Sequence, residues 1–254
     1  MKIDLNCDMG ESFGRYTLGR DSEMFPLISS ANIACGFHAG DPSVMHNTVR
    51  MAAEHGVSIG AHPGFPDLAG FGRRNLAMST DELRDSVIYQ ISALQGFARV
   101  CNVPVQHVKP HGALYNMAAG DTIMAHAIVD ALRQLDDNLI LFGRAESPLI
   151  DVAQTAGLRV AREVFADRAY TEDGRLVPRS QPGSVITDSM TVAERVLKMA
   201  TERTVASITG VEIELNFDTI CVHGDTAGAV EHARQITLVL QQAGVDIVPV
   251  GTFL

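Results

Sequence analysis

The sequence predicts an α/β protein in which seven, or eight, parallel strands close into a β/α barrel. Short apolar runs rich in Val, Ile and Leu alternate with longer segments of helical periodicity, a pattern typical of buried parallel strands connected by helices. The same helix-to-strand junction occurs three times, where Gly56, Gly157 and Gly244 each end a helix. Right-handed crossovers between such repeated units form a barrel, and 254 residues are enough for one.

Eight segments have the composition of strands, and most of them are continuous apolar runs. In chain order they are Ile3–Asn6, Asn32–Cys35, Val57–Ala61, Val105–Lys109, Leu139–Phe142, Leu158–Val164, Thr219–Val222 and Asp246–Val250. We expect residues 1–254 to form a single barrel domain, because the chain shows no linker, low-complexity tract or domain boundary.

The stretch 165–216 departs from this repeat because it is rich in glycine and proline. These residues are Gly174, Pro178, Pro182 and Gly183. They predict an irregular insertion near 165–190, which includes a hairpin before a helix at Val192–Thr201.

The helices have start signals that follow from hydrogen bonding. Asp41 is placed to cap a helix that starts at the following proline. Ser79 and Glu82 have the spacing of a capping box. The apolar face of the helix behind this box consists of Leu83, Val87, Ile91 and Leu94. Asp225 or Thr226 is placed to cap the last helix.

The composition excludes several classes of function. The formal net charge is −10, from 20 Lys and Arg against 30 Asp and Glu, and no Lys/Arg run is present, so a nucleic-acid binder is excluded. The four cysteines have no C-x-x-C spacing, which predicts reduced thiols in a cytoplasmic protein. The first residues lack signal-peptide character, and no apolar stretch approaches the roughly 20 residues that span a bilayer, so no membrane contact is expected.

Ionisable and amide side chains follow six of the predicted strands. Because the carboxyl ends of parallel strands form one face of a barrel, we expect these side chains to surround one pocket. They are Asn6, Asp8, Glu11, His38, His62, Lys109, His111, Tyr115, Glu163, Asp167, Arg168, His223 and Asp225.

Individual residues indicate particular chemistry. Lys109 and His111 lie two apart on one strand face, and Lys109 suits stabilisation of an oxyanion or a phosphoryl group; the alternative is a structural ion pair. His62 lies in a rigid turn, residues 60–64, that aims its ring; the alternative is an imidazole that only caps the turn. His223 with Asp225 resembles an imidazole–carboxylate general-base pair, although Asp225 would also serve as a helix cap alone.

Metal and anion binding remain open alternatives. Asp8, His38 and His62 are candidates for a metal site with two imidazoles and one carboxylate, but no H-x-H or H-x-x-x-H spacing supports it. Arg73 and Arg74 lie in a glycine-rich loop that could close over an anionic group, or be a flexible surface loop. No phosphate-loop motif, dinucleotide fingerprint or nucleophile elbow is present.

Six motifs, in order along the chain, resemble the LamB/YcsF family, the A-subunit proteins of 5-oxoprolinase. They are DLNCDMGE (4–11), ACGFHAGD (34–41), GAHPG (60–64), KPHGALYN (109–116), EVFADRAY (163–170) and CVHGD (221–225). The resemblance covers essentially the whole chain and implies a distorted, TIM-barrel-like fold similar to that of polysaccharide deacetylases. It also implies ATP-dependent hydrolysis of the cyclic amide of 5-oxoproline to glutamate, together with two partner subunits.

The resemblance carries residue expectations as well. It implies pocket residues with catalytic roles at Asp8, His38, His62, Lys109, His111, Glu163, His223 and Asp225. Candidates for substrate binding are Asn6, Glu11, Arg73, Arg74, Tyr115, Asp167 and Arg168. ATP is implied by the family alone, and a divalent metal is left open. The alternatives are a metal-dependent carbohydrate deacetylase-like hydrolase and a non-catalytic subunit that only binds a ligand.

Overall fold

The computed structural model describes residues 1–224 and 228–254 of the chain. In chain order the strands are β1 (Lys2–Met9), β2 (Ser30–Ala34), β3 (Ser58–His62), β4 (Val105–Val108), β5 (Ile140–Arg144), β6 (Arg159–Phe165), β7 (Thr204–Ala206), β8 (Glu212–Glu214), β9 (Thr219–Val222) and β10 (Asp246–Ile247). Within the described residues, seven of them, β1 to β6 and β9, are parallel and close into a barrel because β9 pairs with both β6 and β1. The predicted parallel barrel is confirmed.

Helices surround the barrel and connect its strands. They are α1 (Asp21–Met24), α2 (Pro42–His55), α3 (Thr80–Val100), α4 (Gly112–Ala118), α5 (Thr122–Leu135), α6 (Pro148–Thr155), α7 (Ser189–Glu202) and α8 (Ala229–Gln242). Short 3₁₀ turns lie at Phe25–Leu27, Leu68–Gly70 and Val250–Thr252. In the part of the chain that the structure describes, no helix is both long and apolar enough to cross a membrane.

The predicted helix signals work as the sequence indicates. The Asp41 carboxylate accepts from the backbone N–H groups of Ser43 (2.8 Å) and Val44 (2.9 Å) at the start of α2. Ser79 and Glu82 form both halves of the capping box of α3. The three junction glycines, Gly56, Gly157 and Gly244, all have positive φ. The predicted cap at Asp225 or Thr226 lies outside the described residues.

The eighth predicted strand is shorter than expected and lies outside the closed ring. β10 pairs in parallel only with Lys2 and Ile3 at the start of β1. It ends before Pro249, which has no N–H for a ladder hydrogen bond, and a 3₁₀ turn follows.

The chain between β6 and α7 is irregular, and the regular hairpin of this region lies after α7. Between β6 and α7, the described residues form only isolated antiparallel bridges, Arg168 with Val185 and Tyr170 with Leu176. The two-stranded hairpin of β7 and β8 follows α7 instead of preceding it. Prolines in the insertion cannot donate to a ladder, and the buried Arg168 side chain donates to the Val177 carbonyl (2.6 Å) in place of regular pairing.

The hydrophobic core lies between the outer face of the barrel and the helices. On β1, Leu5, Cys7 and Met9 are fully or almost fully buried in this layer. They pack in one cluster with residues such as Val49 of α2 and Leu94 of α3. Burial of this kind stabilises a protein by roughly 25 cal/mol per Å² of apolar surface.

The inside of the barrel is polar. Asp4, Asn6 and Asp8 alternate with the apolar residues of β1 and therefore point inward. The Asp4 carboxylate accepts hydrogen bonds from the hydroxyl groups of Ser30 (2.6 Å) and Thr219 (2.5 Å), both buried. The barrel thus contains a column of polar groups that leads to the carboxyl ends of its strands.

A glycine makes room for an imidazole in this interior. A Cβ atom at Gly60 would overlap the ring of His107. The ring stacks on Phe142 with centroids 4.1 Å apart, and its Nε2 donates to Asn32 Oδ1 at 2.8 Å. Burial lowers the pKa of His107 to about 3, so the ring is neutral.

Candidate active site

A cavity of about 530 Å³ opens at the carboxyl ends of the barrel strands. Its lining is Asp8, His62, Arg73, Lys109, Pro110, His111, Gly112, Ala113, Tyr115, Asn116, Phe165, Arg168, Leu176, Val177, Pro178, Arg179 and His223. These residues come from the ends of the barrel strands, from the loops that follow them and from the insertion after β6. A cavity of this size suits a small molecule.

Lys109 lies at the base of the cavity, directly after β4, and is buried. Its Nζ is 2.9 Å from Asp8 Oδ1 and 2.8 Å from Glu163 Oε1. It also donates to Cys221 Sγ at 3.1 Å and Asn6 Oδ1 at 3.3 Å. An ammonium has three N–H donors, so the charge and the donors of Lys109 are committed to protein groups.

The electrostatics of this group keep Lys109 and Asp8 charged. Burial opposes the charge of Lys109, but Asp8, Cys221 and Glu163 outweigh it and raise the pKa well above its ordinary value. Burial likewise opposes ionisation of Asp8, but His62 and Lys109 lower the pKa of this carboxyl well below its ordinary value. Lys109 therefore orients two carboxylates, and the described geometry favours the structural ion pair over direct neutralisation of a phosphoryl group.

His223 follows β9 and faces the cavity, with Asp167 behind it. Its Nδ1 lies 2.7 Å from Asp167 Oδ1. Burial opposes ionisation of Asp167, but the charge and hydrogen bond of His223 outweigh it and lower the pKa of the carboxyl. An ionised carboxylate only accepts, so Nδ1 donates its hydrogen to Asp167, and Nε2 is the nitrogen left to face the cavity. Phe165 stacks on the ring with centroids 5.4 Å apart and fixes its plane.

His38, His62 and His111 meet Glu11 beside the cavity. Potential ligand atoms of these four buried residues all lie within 4.8 Å of one another. His38 stacks on His111 with ring centroids 3.7 Å apart. Burial lowers the pKa of His38 well below its ordinary value and that of His111 to about 3, with neighbouring imidazoles adding to both effects. The rings of His38 and His111 are therefore neutral.

Positive charge concentrates where the insertion meets the rim. Arg73, Arg168 and Arg179 line the cavity. Burial, and then the charge of Arg179, lower the pKa of Arg168 below its ordinary value. The Arg73 guanidinium lies 4.9 Å from the centroid of the Phe71 ring. Three guanidinium groups at one mouth favour an anionic ligand.

The structure brings most of the predicted site residues together. The cavity lining includes Asp8, His62, Arg73, Lys109, His111, Tyr115, Arg168 and His223. Behind this lining, in contact with it, lie Asn6, Glu11, His38, Glu163 and Asp167. Burial, and then the carboxylate of Glu163, raise the pKa of Tyr115 well above its ordinary value, so its phenol stays protonated.

Among the described residues, one predicted residue lies away from the cavity. Arg74 pairs with Asp67 and keeps 66% of its side chain exposed. Asp225 lies outside the described residues, and the carboxylate seen on His223 belongs to Asp167. The candidate metal set also changes, since Glu11 and His111 join His38 and His62, whereas Asp8 Oδ1 contacts Lys109.

Some site residues have no counterpart among the sequence predictions. Asn32 donates to Asn6 Oδ1 (2.7 Å) and Asp8 Oδ1 (2.9 Å). Its position inside a predicted apolar strand was the available signal, because a buried amide needs partners. Phe165 and Arg179 carried no comparable signal.

Together, the closed parallel barrel and the polar cavity at its strand ends define a β/α-barrel protein of the kind that carries its chemistry on this face. The chain belongs to the LamB/YcsF family, whose model matches residues 3–254. The resemblance seen in the six motifs is thereby confirmed.

Similar proteins occur in several organisms. A protein named as the A subunit of 5-oxoprolinase from Tolumonas auensis is 55% identical over 246 residues, covering 97% of this chain and 98% of that protein. Another of the same name, from Pyrococcus abyssi, is 51% identical over 254 residues and covers 100% of both. The crystal structure of a lactam utilization protein from Thermus thermophilus superposes with a TM-score of 0.94 at 48% identity, covering 98% of this chain and 99% of that one.

Proposed function

We propose that this chain is the A subunit of an ATP-dependent 5-oxoprolinase, which hydrolyses the lactam of 5-oxo-L-proline to L-glutamate. The observation that carries this proposal is the His223–Asp167 pair at the wall of a cavity whose mouth is rich in arginine. A carboxylated lactam is a small anion that fits such a site. The names of the similar proteins support the same substrate.

In this proposal His223 is the general base. Its Nε2 takes a proton from the water that attacks the carbonyl carbon of the lactam, and the ionised Asp167 stabilises the resulting imidazolium. Phe165 keeps the ring in the plane that faces the cavity. Breaking the ring C–N bond then requires a proton on the departing nitrogen, which the His223 imidazolium is placed to return.

Recognition of the substrate falls to the arginines. Arg73, Arg168 and Arg179 bind the carboxylate and, after activation, the phosphoryl group. Lys109 acts as a positioning residue, because its contacts with Asp8 and Glu163 hold both carboxylates in one geometry.

ATP and partner subunits complete the proposed enzyme. A lactam is a poor electrophile, and phosphorylation of its oxygen by ATP, which releases ADP, makes the ring carbon more electrophilic. Attack by water and cleavage of the C–N bond then leave an acyl phosphate, and a second water hydrolyses it to glutamate and inorganic phosphate. This chain has no nucleotide-binding motif, so the proposal assigns ATP use to the assembly with two partner subunits rather than to this chain alone. We place the enzyme in the cytoplasm, where ATP is supplied and where its free cysteines stay reduced.

The test is an assay of glutamate release from 5-oxoproline by the chain reconstituted with its two partner subunits, with and without ATP. We expect release that requires ATP and this chain, and a decrease of about 100-fold or more for His223→Gln. His126→Gln, on the exposed face of α5, is the matched control and should keep full activity.

Other outcomes would contradict the proposal. Deacetylation of an acetylated sugar by the chain alone, without ATP, would favour the deacetylase-like hydrolase. Full activity of His223→Gln, with loss only on substitution of partner contacts, would favour a ligand-binding subunit without catalytic groups.

A further inference from the structure

Hydrogen bonds fix the proton positions of two imidazoles beside the cavity. His62 Nδ1 lies 2.7 Å from the carbonyl oxygen of Lys109, and His111 Nε2 lies 2.8 Å from that of Phe71. A carbonyl oxygen only accepts, so each of these nitrogens carries the hydrogen. With one hydrogen on each ring, the opposite nitrogens, His62 Nε2 and His111 Nδ1, both present lone pairs.

These two lone-pair nitrogens face each other at 2.9 Å. At this distance a hydrogen bond needs one hydrogen between the two atoms, and neither ring has one left to give. The contact is repulsive unless a cation joins the nitrogens, either a proton that charges one ring or a metal ion that binds both. Asp8 Oδ2, 3.4 Å from His62 Nε2, adds negative charge that attracts either cation.

His38 provides a second, independent indication. Its side chain is fully buried, and neither ring nitrogen has a hydrogen-bond partner within the described residues. A buried polar atom without a partner is unfavourable, and such atoms commonly mark an absent ion or water. His38 Nε2 lies 3.7 Å from Glu11 Oε1, which is also 3.7 Å from His111 Nδ1. The unpartnered ring thus borders the facing lone pairs.

The spacing of the four groups matches a metal centre. Ligands at about 2.1 Å from a tetrahedral Zn²⁺ lie roughly 3.4 Å apart. The separations here range from 2.9 Å to an upper bound of 4.8 Å, so small side-chain shifts bring all four to one ion. The backbone carbonyls on His62 and His111 are the outer partners that metal-binding histidines typically have.

We propose that Glu11, His38, His62 and His111 bind one divalent transition-metal ion. Three imidazoles and one carboxylate select Zn²⁺, Co²⁺ or Ni²⁺ over Mg²⁺ and Ca²⁺, which prefer oxygen ligands. The ion relieves the facing lone pairs and gives His38 a partner. Since His62 and His111 line the cavity, the ion lies at its wall. This metal site goes beyond the proposed function. The inference does not depend on which substrate the cavity takes.

The test measures metal binding by the full chain directly. The purified protein is stripped with a chelator, dialysed, and titrated with Co²⁺ alone, followed by visible absorption and by elemental analysis. We expect one equivalent of Co²⁺ with ligand-field bands that Zn²⁺ abolishes by displacement. His38→Asn should lose the bands and bind at least tenfold more weakly. His46→Gln, an exposed histidine of α2, is the matched control and should bind like the original chain.

Circular dichroism separates loss of the site from loss of the fold. If His38→Asn does not fold, Glu11→Gln replaces it, because this change keeps the side-chain shape and removes only the charge; it should also weaken Co²⁺ binding at least tenfold. Binding of less than a tenth of an equivalent by the original chain, or unchanged binding by the folded variants, would overturn the proposal. None of these readouts involves lactam turnover, so their failure leaves the proposed function standing.

Discussion

His223 and Asp167 are joined by a 2.7 Å hydrogen bond although 56 positions separate them in the sequence. They meet because β6 and β9 are neighbours in the barrel and each residue follows the end of its strand. The pair has the order of groups that a general base requires, with a carboxylate on one ring nitrogen and a cavity in front of the other.

Asp167→Asn should remove the charge that holds His223 in its reactive form. We expect kcat to fall about 100-fold or more with a smaller change in KM, since the pair acts on the reacting water and not on substrate binding. Steady-state kinetics of the reconstituted complex measure this split. Asp130→Asn, exposed on α5, is the control. An equal loss in both variants would contradict a specific role for Asp167.

Lys109→Met should destabilise the fold as well as the site. It leaves Asp8 and Glu163 buried without their cation, and breaking a buried ion pair in this way costs about 3–5 kcal/mol. Denaturant unfolding measures the change in the free energy of unfolding. Adding Glu163→Gln to Lys109→Met should recover part of this loss. A Lys109→Met protein as stable as the original would show that the buried charges are compensated in another way.

Asp4 should make stability depend on pH. Burial raises its pKa to about 6 from an ordinary value of 3.8, so the folded chain holds a proton that the unfolded chain releases between these values. The stability that this bound proton gives to the fold is fully present below pH about 4 and is lost as pH rises through about 6. The free energy of unfolding, relative to that of Asp4→Asn, should fall by roughly 3 kcal/mol from pH 4 to pH 7. A difference that is flat with pH would contradict a raised pKa.

Two glycine substitutions should have opposite effects on the stability of the fold. Gly60→Ala places a methyl group on the His107 ring, and we expect a loss of about 3 kcal/mol because both groups are confined by the barrel. Gly96→Ala lies inside α3 with no atom near the new methyl, and it should gain about 1 kcal/mol from helix propensity. Thermal unfolding of both variants provides the comparison, and destabilisation by Gly96→Ala would count against this explanation.

Local signals of the sequence predicted the fold well. The cap at Asp41, the capping box at Ser79 and the three junction glycines depend on residues within a few positions of each other, so their hydrogen bonds are readable without tertiary structure. Strand ends placed the polar residues on one face because parallel strands share a direction. The 3₁₀ turn after β10 was missed because strand composition continues to Val250 although pairing stops.

Partners within the site were less predictable. Asp167 contacts His223 from 56 positions away, because a neighbouring strand brings it there. Likewise Glu11 lies three positions beyond Asp8, where the chain has left β1 and strand alternation no longer describes its direction. Distances across a barrel depend on closure and on loop paths, and neither follows from spacing along the chain.

The alternation of β1 has a consequence for assembly of the barrel. β1 joins β2 to β9 and so completes the ring. A shift of its pairing by one residue would turn Asp4, Asn6 and Asp8 toward the apolar layer between the barrel and the helices. The same shift would place Leu5 and Cys7 in the polar interior. Both changes destabilise the fold, so β1 has a single acceptable register. The polar groups that lead to the cavity therefore also prevent the barrel from closing in the wrong register.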